Sequence, residues 1–239
     1  MKILAIDTSS SICSVCITED EKLLYKKELE DSKTHSQKLM PMIDTVLKNT
    51  NLRLEDMDLL ACCIGPGSFT GIRIGIATIK AFADSLQIPV VGINSLESLA
   101  CNVEASYFNE EEHYICSLID AKNENVYYGL FQDSKDHKKG HIPASKLEAK
   151  TITEVIEELK KLDKPVILVG DGASHYQYRI QETIKKCSFV TDAFHRQTSV
   201  SIARCAFYYY QDGHYGDSNT LVPLYLRKSQ AERALEGEK

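Results

Sequence analysis

The chain has 239 residues, with 43% apolar and 26% charged side chains and a net charge of −6 from 34 acidic and 28 basic groups. That length and apolar content support one large or two modest globular domains, and exclude a disordered tail, a collagen-like fibre or a disulfide-held miniprotein. The acidic balance argues against a chain that grips RNA or DNA alone, because neutralising phosphates needs an excess of Lys and Arg.

Residues 2–7 read as a buried strand, residues 9–11 as a polar turn, and residues 12–17 as a second strand. A charged turn at 19–21 leads to a third, more exposed strand at 22–29. A helix follows, capped by Thr34 or Ser36, with Leu39, Met42, Ile43, Val46 and Leu47 on one stripe. Pro41 fits that helix only in its first turn or at a kink. Residues 59–64 form a continuous apolar strand ending at Gly65, residues 70–86 a second helix, and residues 89–93 a strand. The order β-β-β-α-β-α-β predicts a mixed sheet with helices on its faces.

The second half echoes the first. A strand over 114–120 ends in Asp120, as the first ends in Asp7, and a turn at 121–125 leads to a strand at 126–131. A charged loop at 135–140, a helix at 151–162 and a strand at 165–169 come next. Helices are then expected near 175–186 and 199–210. The echo predicts two related lobes, 1–103 and 104–212, and a tail, 213–239, that returns to the first lobe.

The start of the chain places four apolar residues between Lys2 and Asp7, too few for a secretory leader. No stretch reaches the ~20 apolar residues of a membrane span. The expected compartment is the cytoplasm, where the eight cysteines should mostly be reduced. Cys13 and Cys16 have the spacing of a metal pair but sit in a strand, where residues three apart face opposite sides. The cysteines therefore read as small core residues. His137 and His141 flank a Lys-Lys-Gly loop and read as solvated rather than metal-ligating.

Three segments have the composition of binding loops. Asp7, Thr8 and Ser9 close a strand with a carboxylate and hydroxyls, suited to a phosphate or its cation, or else to a self-satisfied tight turn. Residues 65–75 join strand to helix through glycines. They offer either free N–H groups to an anion or, through Gly71 and Gly75, a close approach to another helix. They match neither the P-loop nor the dinucleotide fingerprint. Gly170 and Gly172 bracket another strand-to-helix turn, suited to a nucleotide's sugar or phosphate, or to a plain turn. The second helix is apolar over most of its circumference, which fits either an interface or a fully internal helix.

These segments together resemble a known family. The motifs are Ile6-Asp7-Thr8-Ser9, Thr34-His35-Ser36 with Leu39 to Pro41, and Gly65-Pro66-Gly67-Ser68-Phe69-Thr70-Gly71-Ile72-Arg73-Ile74-Gly75. Gly92-Ile93-Asn94-Ser95-Leu96, Ile119-Asp120-Ala121 and Pro223-Leu224-Tyr225-Leu226-Arg227 complete the set. The chain resembles the TsaB (YeaZ) family of bacterial tRNA threonylcarbamoyladenosine biosynthesis over nearly its whole length.

The resemblance implies an α/β chain with the actin-like, Hsp70-like ATPase (ASKHA) fold, made of two ribonuclease-H-like lobes with mixed sheets. It also implies a partner, the threonylcarbamoyltransferase TsaD, and a third protein, the small ATPase TsaE. tRNA would be met only through the complex. In TsaD-like chains the stretch after the fifth strand reads Gly-Val-Asn-His-x-x-x-His and holds the catalytic metal. Here those positions carry Ser95 and Leu99, and leucine cannot ligate a metal.

The expectation is a noncatalytic accessory subunit with no required cofactor. Its degenerate cleft, at Asp7, Thr8, Ser9, Gly170 and Gly172, would bind ATP or ADP weakly at most. Its interface would be Leu39, Met42, Ile43, Val46, Gly71, Ile72, Gly75, Ile76 and Ile79, which in isolation would serve a homodimer. The alternative is an independent nucleotide-dependent kinase or transferase of the same fold.

Overall fold

The computed structural model describes residues 1–30, 35–103, 112–133 and 141–228. The loop expected at 135–140, Thr34, His137, the linker at 104–111 and the tail beyond 228 lie outside the described residues. Among the described residues, no helix is long and apolar enough to cross a membrane.

Strands β1 (Lys2–Asp7), β2 (Ile12–Glu19) and β3 (Lys22–Glu30) run as an antiparallel meander. Helix α1 (His35–Thr50), strand β4 (Leu59–Gly65), helix α2 (Phe69–Leu86) and strand β5 (Val90–Asn94) follow. β4 pairs in parallel with β1, and β5 with β4, which gives the order β3-β2-β1-β4-β5. The short helix α3 (Ser95–Ala100) leads into the second half.

That half repeats the plan. β6 (Tyr114–Asp120) pairs antiparallel with β7 (Asn125–Asp133), and β8 (His141–Pro143) and β9 (Glu148–Thr151) both pair with β7. Helix α4 (Ile152–Leu159) is followed by β10 (Val166–Val169). β10 lies parallel to β6, and β11 (Cys187–Phe189) parallel to β10. A short helix outside the sequence expectation, α5 (Asp171–His175), precedes α6 (Gln177–Thr183), which is the helix expected near 175–186. α7 (Ser199–Gln211) closes the helical set.

Alternation along β1 decides what covers each face of the first sheet. Leu4 and Ile6 face α1 and α2, whereas Ile3 and Ala5 face Ile202, Ala203, Cys205 and Ala206 of α7. The expected division at 104–212 is corrected here: α7 follows the second sheet in sequence but packs on the first. Conversely, Leu96, Leu99 and Ala100 of α3 pack on Ile115, Phe131 and Ile167 of the second sheet. α3 and α7 meet through the Ser98 and Ser201 hydroxyls, 2.8 Å apart. Six cysteines are free thiols, in keeping with the expectation that most are reduced, and Cys101, just after α3, is joined to Cys205 of α7, both within the core on the first sheet.

The interface expectation is also corrected. Leu39, Met42, Ile43, Val46, Ile72, Ile76 and Ile79 are each 5% exposed or less, and all join the core between α1, α2 and the first sheet. Burying each stabilises the lobe by about 2 kcal/mol, so the sheet has already claimed these stripes. The two glycines serve the same packing. A Cβ on Gly71 would stand 1.9 Å from the Thr8 carbonyl oxygen, and one on Gly75 2.6 Å from the Thr8 hydroxyl. They admit β1's own end rather than a helix of another chain. Outward on α2 are Thr70, Arg73, Ala77, Ala81, Asp84 and Ser85, with Ile74 half-buried; α1 exposes Met40, at 51%, and Pro41 among the polar Ser36, Gln37, Lys38, Asp44, Lys48 and Asn49. Pro41 lies within α1 on this solvent side, where water can replace the lost helix bond.

Candidate functional site

Parallel strands of both sheets end at one cleft between the lobes, of about 570 Å³. Its first-lobe wall includes Ser9, Ser10, Ser11, Pro66, Gly67 and Ser68. Its second-lobe wall includes Asp120, Ala121, Lys122, Tyr127 and Asp171, and His195, Arg196 and Gln197 bridge the two.

Of the expected nucleotide residues, Ser9 lines the cleft and Asp7 lies beneath it. Asp7 is 1% exposed, and its Oδ1 accepts the Ser9 N–H at 2.8 Å and the Ser9 hydroxyl at 2.7 Å. Its Oδ2 has no hydrogen-bond partner among the described residues. Burial raises the Asp7 carboxyl above the ordinary carboxylate range, against the opposing pull of Ser9 and the His35 ring. His35 donates through Nε2 to the Ser10 carbonyl at 2.9 Å and so braces the turn.

Thr8 is corrected: its hydroxyl donates to the Gly71 carbonyl at 2.7 Å and is consumed in seating α2. Gly170 and Gly172 sit where β10 turns into α5. Gly170 has φ +109°, and a Cβ there would stand 2.0 Å from the Leu118 carbonyl oxygen. A Cβ on Gly172 would be 3.1 Å from the Asp120 nitrogen. Glycine is needed at 170 for the turn to lie on β6, while Gly172 is only tightly packed there. The residue between them, Asp171, reaches the cleft; its Oδ1 accepts the Asp120 N–H at 3.0 Å, and burial raises its carboxyl. Partial burial works to raise Asp120 as well, but hydrogen bonds from Lys122 win and hold it below the ordinary range.

Residues 195–197 had no motif to announce them. Asn102 holds their loop, its Nδ2 donating to the Phe194 and Arg196 carbonyls at 3.2 and 2.9 Å. The Gln197 amide donates to the Ser9 hydroxyl, and Gln197 Oε1 is buried without a partner among the described residues. Arg196 pairs with Glu30 at 3.2 Å across the lobes. Burial pulls the His195 imidazole below its ordinary value, so it serves as a neutral polar group at neutral pH. Asp7 Oδ2 and Gln197 Oε1 are therefore buried oxygens without a partner among the described residues, both in the Ser9 network at and beneath the cleft floor.

The positions matched to metal histidines hold other chemistry. Ser95 is fully buried, its hydroxyl donating to the Pro66 carbonyl at 2.6 Å. Leu99 is 1% exposed and packs on the second sheet. Beside them Glu97, a residue the motifs gave no reason to single out, is 6% exposed. Its Oε2 accepts from Asn94 Nδ2 at 2.8 Å and from the Tyr209 hydroxyl at 2.9 Å, and burial pushes its carboxyl up to about 7. Among the described residues, no three or more His, Cys, Asp or Glu side chains gather as metal ligands.

Residues 29–235 match the family model described as TsaD: tRNA N6-adenosine threonylcarbamoyltransferase. The tRNA threonylcarbamoyladenosine biosynthesis protein TsaB of Bacillus subtilis is 30% identical over 97% of this chain and 96% of its own length. TsaB of Buchnera aphidicola subsp. Schizaphis graminum is 37% identical over 71% of this chain and 78% of its own. The structure of YeaZ from Pseudomonas aeruginosa superposes with TM-score 0.75 at 24% identity, covering 94% of this chain and 99% of that one. The ethanolamine utilization protein EutJ of Carboxydothermus hydrogenoformans gives TM-score 0.54 at 12% identity, over 86% and 90% of the two chains. The fold is thus the actin-like ASKHA fold of two ribonuclease-H-like lobes.

Proposed function

Because the chain belongs to the TsaB proteins of tRNA threonylcarbamoyladenosine biosynthesis, within the TsaD-type family, we propose that it is the accessory subunit that binds and supports the TsaD threonylcarbamoyltransferase. It takes part in that biosynthesis without carrying the transfer chemistry, which belongs to the complex. The observation that carries this reading is the pair Ser95 and Leu99, one hydroxyl committed to a backbone carbonyl and one packed leucine, at the positions of the resemblance's metal histidines.

The docking face is the outward side of α1 and α2. Small residues at Ala77 and Ala81, four apart, allow helices of a partner to approach closely, and Met40 and Ile74 supply apolar area. TsaE joins the same complex, and tRNA is reached through TsaD. The cleft, lined by Ser9 and Gln197 with Asp7 beneath it, holds ATP or ADP weakly and needs neither for assembly.

Mixing the purified chain with TsaD from the same organism and measuring mass by light scattering after gel filtration tests the proposal. A one-to-one complex is expected, with transfer to tRNA appearing only in the mixture. Ala77→Arg and Ala81→Arg keep good helix formers on an exposed face, so they should spare stability while weakening the complex at least tenfold. No complex, with or without nucleotide, turns the assignment toward an independent nucleotide-dependent enzyme. A dimeric lone chain places the same face in a homodimer.

A further inference from the structure

The tail motif Pro223-Leu224-Tyr225-Leu226-Arg227 has no part in the reading above, yet it touches both lobes within four residues. The Leu224 N–H donates to the Ile64 carbonyl at 2.8 Å, which ties the tail to the end of β4. Tyr225 stacks on Phe69, the first residue of α2, with ring centroids 4.5 Å apart and planes 9° from parallel. The Arg73 Nε–H donates to the Tyr225 hydroxyl at 2.8 Å, and its guanidinium stands 5.7 Å from the ring centre. One residue later Leu226 packs against the cluster between α3 and the second sheet, the same cluster that holds Leu99 and supports Ile119 and Tyr127 at the cleft. Arg227 Nη1 then donates to the Ala121 carbonyl at 2.9 Å, on the cleft's second wall.

Tyr225 is 40% exposed and shares Arg73 with the outward face of α2. Phe69 directly follows Ser68, which lines the cleft's first wall. Four residues reach at most about 14 Å when fully extended, so a segment held at both ends has little slack. A displacement of the Tyr225 anchor is passed to Leu226 and Arg227 rather than absorbed.

We propose that residues 224–227 are an interlobe strap, with Tyr225 and Arg227 as positioning residues, through which a partner seated on the outward face of α2 sets the second wall of the cleft. The proposal rests on the reading of that face as the docking surface. By linkage, whatever the cleft binds preferentially at one width then favours the partner by the same factor.

Hydrogen exchange with peptide-level readout tests the strap in the full chain. In the wild type, saturating TsaD should slow exchange at least fivefold in the α2 peptide spanning 69–76 and also in the second-lobe peptide spanning 119–127. In Arg227→Ala the first protection should remain and the second should fall below twofold, while Arg227→Lys restores part of it. Equal protection of 119–127 in Arg227→Ala and wild type overturns the strap, as does protection of 69–76 alone in the wild type. If TsaD protects neither peptide, the docking reading has failed, and an arm without partner decides the strap. There Arg227→Ala and, separately, Tyr225→Ala should each speed exchange in 119–127 at least threefold over wild type. Acceleration of 119–127 by Arg227→Ala alone marks a local tie and refutes the strap.

Discussion

Glu97 offers a test of the packing between α3 and α7. Its carboxyl is buried where one oxygen, Oε2, accepts both hydrogen bonds it receives, from Asn94 and Tyr209. Burial is the larger influence and raises the group from the ordinary 4.5 to about 7. A folded-state value above the unfolded one means that the folded chain holds this proton more tightly. The resulting stabilisation is complete below about pH 4.5 and is lost as pH rises through 7. The loss amounts to about 3 kcal/mol between the two limits. Glu97→Gln keeps an acceptor oxygen in the place of Oε2 and removes the titration. Urea unfolding at pH 5.0 and pH 8.0 measures both chains. The variant should exceed the wild type by about 3 kcal/mol at pH 8 and by less than about 1 kcal/mol at pH 5. Other shifted groups, Asp7, Asp171 and His195 among them, are common to both chains and cancel in the difference. A gap between the chains that does not change with pH would refute the reasoning.

The remaining predictions concern the turn after β1. Gly71→Ala should lower stability by about 2–4 kcal/mol, because the new Cβ meets a backbone oxygen that cannot move aside. Thermal denaturation checks it, and the sign is decisive, since Gly→Ala in an unobstructed helix is stabilising by about 1 kcal/mol. Asp7→Asn should stabilise the chain most on the alkaline side, because the raised carboxyl contributes stability at low pH that is lost as it ionises. The same substitution should abolish weak binding of magnesium-ATP in calorimetry if the spare Oδ2 is what faces the cation-bound phosphate.

Much of this molecule is local and therefore readable. The first five strands and first two helices follow from hydrophobic period and Gly punctuation, and the Asp7 and Asp120 strand ends lie on the central strands of sheets that share a five-strand order, the second adding β9 beside β7. What could not be read is non-local. α3 lies in a run, residues 95–100, that is buried throughout, so no amphipathic period marks it. The three-residue strand β11 takes its identity from pairing with β10 rather than from its own sequence. The 195–197 wall of the cleft is a loop placed by Asn102, a residue far from it in sequence. The glycines at 170 and 172 were legible as a turn, but only the approach of Leu118 shows that the turn needs the one at 170 for packing.

The helix stripes are the instructive failure. A run such as Ile72, Ile76 and Ile79 records that an apolar face exists and says nothing of whether the covering surface is the chain's own. The first sheet supplies that surface through Leu4, Ile6, Val15 and Leu60, so the stripe is satisfied before any partner arrives. On the proposed docking, a partner would use the opposite side of the same helix. There Ala77 and Ala81 leave the backbone accessible, and the strap's Tyr225 lies beside Arg73. Substitution within the buried stripe, Ile76→Arg for instance, would place a charge in the core and unfold the lobe. It would abolish a complex without locating its interface. Only the outward pair separates folding from assembly, because a bulky cation at Ala77 or Ala81 costs the isolated chain almost nothing and obstructs any helix that needs to lie there.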